Sequence, residues 1–200
     1  MYVRILYDNI NHYSQEEYNE FLKLIRQDKR ERIAKILRKE DQYRSILGEI
    51  LLIKLLKEFN IEYNSIHITT NQYGKPYIQD LDVYYSISHS HEYVICAISN
   101  KEIGIDIEKI RHIAPVTLKQ YATTNEIEYI TSIDKLYERR CFEIFTLKES
   151  YFKCMGCDLR EILNVEFHIS DDSIQCSHTG YSFNLVDTID GYVIAICEMM

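Results

Sequence analysis

Apolar and polar residues alternate along segment 103–108, which reads Ile-Gly-Ile-Asp-Ile-Glu. A period of two predicts a β-strand with one apolar face and one face that carries Asp106 and Glu108. Carboxylates two positions apart lie roughly 7 Å from each other on that face and repel unless a cation lies between them. Mg²⁺ prefers oxygen ligands, and Gly104 on the same face would leave room for a ligand. The alternative at this point is an exposed edge strand whose acidic residues face water.

The pattern also predicts helices and strands elsewhere. Ser14 and Glu17 have the spacing of a capping box, so a helix is expected to begin there and run to about residue 25. Asp28 is expected to cap a second helix that ends near Lys39. Apolar residues at helical spacing predict a third helix over 40–59. Further predicted segments are helices at 115–121, 124–133 and 134–155, strands at 2–7, 66–70, 84–88, 93–99, 165–169, 173–177, 181–187 and 191–198, and turns at 72–77 and 88–92.

A weak internal repeat divides the chain near residue 100. Residues 93–98 (Tyr-Val-Ile-Cys-Ala-Ile) resemble residues 192–197 (Tyr-Val-Ile-Ala-Ile-Cys), at a spacing of 99 residues. At the same spacing the predicted helix over 40–58 falls on residues 139–157. The repeat favours an α+β fold of two similar halves, each a helix packed on a small antiparallel sheet. Ligands tend to bind in the cleft between such halves.

Charge narrows the possible partners. The 200 residues carry a net charge of −8 at pH 7 and are 46% hydrophobic, which suits a folded core. Residues 23–44 hold nine Lys or Arg and four Asp or Glu, a net of +5, so the remainder carries −13. A local basic patch on an acidic protein indicates one anionic ligand rather than a nucleic acid.

The cysteines and the N-terminus suggest a cytoplasmic location. The sequence begins without the architecture of a signal peptide, and no apolar run approaches the length of a membrane span. We expect the six cysteines to be reduced thiols, mostly buried. Cys154 and Cys157 have the spacing of a redox or zinc pair, but no second pair completes a metal site.

A second informative stretch is residues 142–153, Phe-Glu-Ile-Phe-Thr-Leu-Lys-Glu-Ser-Tyr-Phe-Lys. Helical spacing places Glu149 on a stripe of phenylalanines, where a carboxylate is costly without a partner. Lys153 lies one turn further on, so the pair is either a solvated ion pair or part of a site. Cations for an anionic ligand could come from Lys29, Arg32 and Arg44 in the basic segment, Lys75 in the turn and His89 at a strand end, although each alone is a weak signal.

Five motifs in order resemble those of the Sfp-type 4'-phosphopantetheinyl transferases, over about residues 2–198. They are Lys39-Glu40-Asp41 with Arg44 and Leu47-Gly48; Tyr73-Gly74-Lys75-Pro76; Ile87-Ser88-His89-Ser90; Gly104-Ile105-Asp106-Ile107-Glu108; and Lys148-Glu149-Ser150 with Lys153. The resemblance implies two pseudo-symmetric α+β halves with the active site in the cleft between them. It also implies Mg²⁺-dependent transfer of phosphopantetheine from coenzyme A to a serine of an apo acyl or peptidyl carrier protein, releasing adenosine 3',5'-bisphosphate.

The same resemblance implies roles for individual residues. Asp106, Glu108 and Glu149 would bind Mg²⁺, with Glu149 also the general base for the acceptor serine, and Lys153 and His89 would contact the pyrophosphate. Residues 1–100 would hold coenzyme A phosphates, and residues 101–200 would carry the metal strand and the catalytic helix. Glu126 matches a further acidic position with a secondary role. The residues implied to bind coenzyme A are Lys29, Arg32, Arg44, Gly74, Lys75, Pro76, Ser88, His89, Lys148 and Lys153.

Two departures and three alternatives accompany this interpretation. Phe145 stands where the family often has Trp, and Arg32 stands where Lys is common, which keeps the charge but changes its geometry. The alternatives are another Mg²⁺-dependent phosphoryl-type transferase, a noncatalytic module that binds coenzyme A or a carrier protein, and a nucleic-acid binder that net charge disfavours. A monomer is expected because two halves that complete one site need no second chain, and the sequence does not specify which carrier protein is served.

Overall fold

The computed structural model describes residues 3–170 and 173–200, and Leu159 only in its backbone. The helices in these ranges are α1 (Gln15–Leu24), α2 (Gln27–Ile33), α3 (Lys39–Glu58), α4 (Pro115–Leu118), α5 (Thr124–Thr131) and α6 (Tyr137–Met155). The strands are β1 (Arg4–Asn9), β2 (Ile68–Thr70), β3 (Pro76–Ile78), β4 (Tyr84–Ser90), β5 (Tyr93–Ser99), β6 (Ile103–Lys109), β7 (Phe167–Ser170), β8 (Ser173–Cys176), β9 (Tyr181–Val186) and β10 (Tyr192–Met199). Within the described ranges, no helix is both long and apolar enough to cross a membrane.

Two three-stranded antiparallel sheets form the framework, with strand orders β1-β5-β4 and β6-β10-β9. The central strands β5 and β10 begin at residues 93 and 192, so they carry the repeat seen in the sequence. Helix α3 packs on the first sheet and helix α6 on the second. The expected α+β fold of two similar halves, each a small antiparallel sheet packed on a long helix, is confirmed. Two short hairpins, β2-β3 and β7-β8, complete the halves.

The long helices are held by burial rather than by end caps. Neither α3 nor α6 has a side-chain hydrogen bond at its N-cap. Leu47, Leu52 and Leu55 of α3, like Ile144 and Leu147 of α6, are completely buried. Each such side chain removed from water contributes about 1.5–3 kcal/mol, so several of them together far outweigh the roughly 1 kcal/mol that a missing cap costs. In α1, by contrast, the predicted capping box between Ser14 and Glu17 is present.

The halves are joined by an apolar layer and by a row of serines. The layer combines one face of β6 with residues of β5 and β10; its fully buried members include Ile103, Ile105 and Ala97. On the other side, serine hydroxyls of β4 accept hydrogen bonds from backbone N–H groups of β6 at the edge of β6 that faces away from β10. The pairs are Ile105 N to Ser86 Oγ (3.1 Å), Ile107 N to Ser88 Oγ (3.4 Å) and Lys109 N to Ser90 Oγ (3.1 Å). The serines therefore satisfy backbone donors that a fourth strand of this sheet would otherwise take.

Several predictions of local structure are wrong. Arg26, not Asp28, precedes α2, which ends at Ile33. Strand β4 continues to Ser90, so the expected turn at 88–92 is shorter and His89 is a strand residue. The backbone of β4 stays paired with β5 as far as Ser90, which lies opposite Tyr93.

Gly104 serves packing and not a ligand. A Cβ at this position would lie 2.0 Å from Ser150 O and 2.4 Å from Cys154 N, both backbone atoms of α6. Helix α6 therefore crosses β6 in van der Waals contact with the bare backbone, which only glycine permits. The expectation that Gly104 leaves room for a ligand is wrong, because the helix that carries Glu149 occupies that space.

Candidate active site

A cavity of about 330 Å³ opens between the two halves. The first half supplies the β2-β3 turn, part of β4 and Lys29, and the second half supplies the C-terminal end of α6. Its lining residues are Lys29, Tyr73, Gly74, Lys75, Pro76, Tyr85, Ser86, Ile87, Glu149, Phe152, Lys153, Gly156 and Cys157. A second cavity, of about 460 Å³, shares Lys29 and Ile87 with the first and adds Arg32, Arg44 and His89. Most of the predicted coenzyme A ligands, together with Glu149, thus line these two adjoining cavities, whereas Ser88, Asp106, Glu108 and Lys148 do not.

Asp106 and Lys153 form the centre of the site. Asp106 is 4% exposed, and its Oδ1 accepts hydrogen bonds from Lys153 Nζ (2.6 Å) and Ser88 Oγ (2.7 Å). Lys153 Nζ also donates to Ser88 Oγ (2.9 Å). These three side chains come from β6, α6 and β4, so the contact of all three elements is needed to assemble them.

Two further carboxyl groups are close enough to interact with Asp106. Loss of hydration, together with the negative charge of Asp106, raises the pKa of Glu149 to about 7, against the opposing charge of Lys153. Loss of hydration and the charge of Asp106 also raise the pKa of Glu108. Ser90 Oγ (2.9 Å) and Arg111 Nη1 (3.3 Å) donate to Glu108 and oppose that shift. The structure therefore brings the three acidic residues predicted from the sequence into one electrostatically coupled group.

One buried atom indicates that a cation fits this group. Asp106 Oδ2 is buried and has no hydrogen-bond partner among the described residues. An unpaired carboxylate oxygen is costly to bury, and a hard cation such as Mg²⁺ would satisfy it. Within 3–170 and 173–200, however, no three His, Cys, Asp or Glu side chains converge closely enough to hold a metal ion. The acidic group is therefore suited to a divalent cation without forming a ready-made cage.

The basic segment provides cations on the other wall. Lys29 Nζ lies 2.7 Å from Oε1 of the buried Glu49, and the Tyr63 hydroxyl donates to Glu49 Oε2 (2.6 Å). Arg44 is held by Asp41 and by the backbone oxygen of His91. The pairs with Glu49 and Asp41 hold Lys29 and Arg44 in place beside the second cavity. Lining the same cavity, Arg32 is exposed to solvent.

His89 lies on the rim of the second cavity with its side chain exposed. The pKa of His89 is lowered, mainly because neighbouring groups displace part of its hydration and also because Arg44 and Lys153 are positively charged. A neutral imidazole is therefore favoured until an anion approaches and compensates these charges.

Two predicted coenzyme A ligands have their ammonium groups engaged elsewhere. Lys75 Nζ donates to Glu102 and to the backbone oxygen of Cys154, although its stem lines the first cavity. Lys148 is completely buried, and its Nζ lies 2.7 Å from Glu126 Oε2. It also donates to the backbone oxygens of Tyr121 and Ile162. The expectation that Lys148 contacts the cofactor is corrected, because its side chain leaves α6 away from the cleft.

Sequence reasoning missed two residues at the site. Arg111 donates to Glu108, and its guanidinium lies 4.9 Å from the centre of the Phe142 ring. Ser90 donates to the same carboxylate. The alternation of serines at 86, 88 and 90 was a visible signal for Ser90, whereas nothing in the sequence pattern distinguished Arg111 from other surface cations.

Fold and site together define a class of protein, a two-lobed α+β enzyme. The cleft between its lobes holds an acidic group that suits a cation, and Lys and Arg side chains lie beside this group. Residues 12–101 match the family described as 4'-phosphopantetheinyl transferase, N-terminal, and residues 102–197 match the 4'-phosphopantetheinyl transferase superfamily.

Two curated proteins illustrate the similarity. The 4'-phosphopantetheinyl transferase Sfp of Bacillus subtilis (strain 168) is 33% identical over 193 residues, covering 92% of this chain and 86% of that protein. The 4'-phosphopantetheinyl transferase gsp of Aneurinibacillus migulanus is 39% identical over 134 residues, covering 66% of this chain and 56% of that protein. The chain belongs to the Sfp-type 4'-phosphopantetheinyl transferases, and the resemblance noted in its motifs is confirmed.

Proposed function

We propose that this enzyme transfers the 4'-phosphopantetheine arm of coenzyme A to a serine hydroxyl of an apo acyl or peptidyl carrier protein, with Mg²⁺, and releases adenosine 3',5'-bisphosphate. The observation that carries the proposal is the coupled group of Asp106, Glu108 and Glu149 beside Lys153 in a cleft lined with cations. Family membership supplies the reaction class.

The chemistry requires one bond to form and one to break. The serine oxygen forms a bond to the phosphorus that carries the pantetheine arm, and the bond from that phosphorus to the oxygen of the adenosine phosphate breaks. The serine proton passes to Glu149, whose raised pKa of about 7 suits a base at neutral pH. The leaving bisphosphate is an anion, so Lys29, Arg44 and His89 stabilise the charge that develops on it.

Asp106, Glu108 and Glu149 are the residues that would hold Mg²⁺, which when bound supplies charge neutralisation at the diphosphate. Asp106 is the best placed of the three, since its unpaired Oδ2 is available while Lys153 and Ser88 fix Oδ1. Lys153 holds a positive charge next to the diphosphate and restrains the carboxylate from rotating.

The two halves are proposed to have different roles in the reaction. Residues 1–100 hold the phosphates of coenzyme A, and residues 101–200 carry the acidic strand and the helix with the base. One chain supplies both walls of the cleft, which supports a monomer. The six free cysteines suit a cytoplasmic location, where thiols stay reduced.

The test is a transfer assay read by mass spectrometry. The enzyme is incubated with coenzyme A, Mg²⁺ and an apo carrier protein, and the carrier is expected to gain the mass of the phosphopantetheine arm. Chelation is expected to stop the gain and added Mg²⁺ to restore it. Glu149→Gln is expected to lower the rate about 10²-fold to 10⁴-fold, which is the usual contribution of a general base.

Two results would separate the alternatives. Binding of coenzyme A without any mass gain on several apo carriers would favour a noncatalytic module. Transfer by Glu149→Gln at the rate of the unmodified enzyme would overturn the assignment of the base while leaving the reaction intact.

A further inference from the structure

The loop between β2 and β3 is fastened to the C-terminal end of α6. Asn71 Nδ2 donates to Gly156 O (2.6 Å), and Lys75 Nζ donates to Cys154 O and pairs with Glu102. These contacts cross from the first half of the chain to the second. We define Asn71, Lys75, Glu102 and the two backbone oxygens as the interlobe latch.

The loop is built so that it presents both side chains at once. Asn71 Oδ1 accepts the backbone N–H groups of Tyr73 (3.0 Å) and Lys75 (3.0 Å), and Asn71 N donates to Lys75 O (3.0 Å). Gly74 has a φ of +87°, which glycine adopts without strain. These hydrogen bonds within the loop therefore fix Asn71 and Lys75 relative to each other, independently of their contacts with α6.

The helix end is shaped to receive them. Gly156 ends α6 in the left-handed conformation (φ +62°), and a Cβ there would lie 2.7 Å from both Asn71 Nδ2 and Lys75 Cδ. An ammonium at the C-terminal end of a helix also complements the helix dipole and bonds an otherwise unpaired carbonyl. The side chain of Lys75 is only 12% exposed, so its ammonium is held at this position.

We propose that Lys75 acts as a positioning residue: through the interlobe latch it fixes the end of α6 against the loop and thereby sets the position of Glu149 and Lys153 across the first cavity. Lys153 precedes Cys154 directly in α6, and the loop residues Tyr73, Gly74 and Pro76 line the same cavity as Lys153. The ammonium of Lys75 thus pairs with Glu102 and the helix end, and not with a phosphate of coenzyme A.

A pair of substitutions on opposite sides of the latch distinguishes the two roles. If Lys75 is part of the latch, Lys75→Met and Glu102→Gln each raise the KM for coenzyme A about fivefold to tenfold, and the double variant is no worse than either. If Lys75 binds a phosphate, Lys75→Met raises KM, but Glu102→Gln frees the ammonium and leaves KM unchanged or lower. The second result would overturn the proposal.

Hydrogen–deuterium exchange of the ligand-free protein provides a readout that does not depend on turnover. Each single substitution is expected to speed exchange in both segments 71–76 and 152–157, although Lys75 and Glu102 lie in different halves of the chain. Faster exchange confined to 71–76 in Lys75→Met, or to residues next to Glu102 in Glu102→Gln, would contradict the latch.

The kinetic arm rests on the proposed function, whereas the exchange arm does not. Absence of transfer by the unmodified enzyme would therefore count against the function alone. Matched controls are Lys23→Met and Glu20→Gln, which break an ion pair of 2.6 Å whose side chains are 66% and 69% exposed. These controls are expected to leave KM and exchange at the latch unchanged, and Lys75→Arg is expected to recover part of the loss.

Discussion

The two halves share a sheet topology but differ in what they place against their long helix. In the first sheet Leu6 of β1 lies opposite Cys96, and in the second sheet Asp106 of β6 lies opposite Ala195. Cys96 and Ala195 are 99 residues apart, so Leu6 and Asp106 occupy equivalent places. One packs into an apolar core and the other is the centre of the acidic group.

Two residues further along, both strands carry a carboxylate, but the two pKa values are shifted in opposite directions. Asp8 of β1 lies opposite Val94, and Glu108 of β6 lies opposite Val193. Hydrogen bonds from Tyr13, Asn9 and His12 outweigh the desolvation of Asp8 and lower its pKa, whereas burial and Asp106 raise the pKa of Glu108. A duplicated fold can therefore keep one strand as a scaffold while its counterpart carries destabilising charges for chemistry.

The largest effect we expect is on activity at the equivalent strand positions. Asp106→Ala is expected to lower the transfer rate by about 10³-fold or more, because it removes a carboxylate proposed to hold Mg²⁺ and the partner of Lys153. Leu6→Ala is expected to leave the rate nearly unchanged but to cost about 2 kcal/mol of stability as a half-buried side chain is truncated. Transfer assays and urea unfolding of both variants check this crossed pattern. Similar losses of activity in the two would contradict it.

The next largest effect that we expect is on stability, and it distinguishes Gly104 from Gly48, the two glycines where a long helix approaches a sheet. Gly104→Ala puts a Cβ 2.0 Å from the backbone of α6 and is expected to cost about 4 kcal/mol, since a helix must move. In Gly48→Ala the nearest atom is Ile87 Cγ2 at 3.1 Å, which belongs to a side chain and can shift. Alanine also favours the helix by about 1 kcal/mol, so the net change should be within about 1 kcal/mol. Unfolding free energies that rank the variants in the opposite order would contradict this account.

The third comparison concerns the charge buried in each long helix. Lys148 of α6 and its partner Glu126 are both fully buried, so Lys148→Met leaves the Glu126 charge without a counterion and is expected to cost about 3 kcal/mol, although the backbone N–H groups of Thr123 and Phe167 still donate to it. In α3 the buried charge is Glu49, but its partner Lys29 is 20% exposed and Tyr63 also donates to it. Lys29→Met is therefore expected to cost only about 1 kcal/mol.

Calorimetry checks the order of the two lysine variants. The kinetic signatures should be reversed, because Lys29 lines both cavities of the site and Lys148 lines neither. Lys29→Met is expected to raise the KM for coenzyme A, whereas Lys148→Met is expected to leave KM unchanged in the folded fraction. A raised KM in Lys148→Met would restore the role in cofactor binding that its geometry argues against.

Local patterns predicted the parts of this structure that depend on neighbouring residues. The alternation along 103–108 identified β6 and placed Asp106 and Glu108 on one face, and the capping box identified the start of α1. The repeat identified the two halves because it reflects a topology that occurs twice.

Features set by distant residues could not be predicted in the same way. Lys148 and Lys153 are five positions apart, about 140° around a helix, and the sequence alone does not show which of them faces the cleft. The sequence places Lys75 in a turn, but its partners Glu102 and Cys154 come from the other half of the chain. For Gly104 the period of two showed an open face without showing that a helix fills it.

The smallest expected effect tests the cost of the acidic group directly, in the metal-free protein. The folded-state pKa of Glu149, about 7, lies above its ordinary value of 4.5, so between these values the folded protein binds more protons than the unfolded chain. The contribution of Glu149 to stability therefore falls as pH rises from 4.5 to about 7 and is lowest above that. Glu149→Gln removes this penalty and is expected to raise stability above pH 7 by about 1–2 kcal/mol, a few degrees in Tm.

The comparison of Tm between Glu149→Gln and the unmodified protein should be made across that range, since the difference isolates one group from general acid unfolding. We expect the gain to shrink towards zero near pH 4.5, where both side chains are neutral. Added Mg²⁺ should reverse its sign, because the cation stabilises a carboxylate that glutamine cannot replace. The equivalent first-half substitution, Asp8→Asn, should lower stability at neutral pH instead, because Asp8 is stabilised in its charged form. A gain in both variants would show that acidic residues are costly throughout this protein, and the contrast between a scaffold strand and a chemical strand would no longer hold.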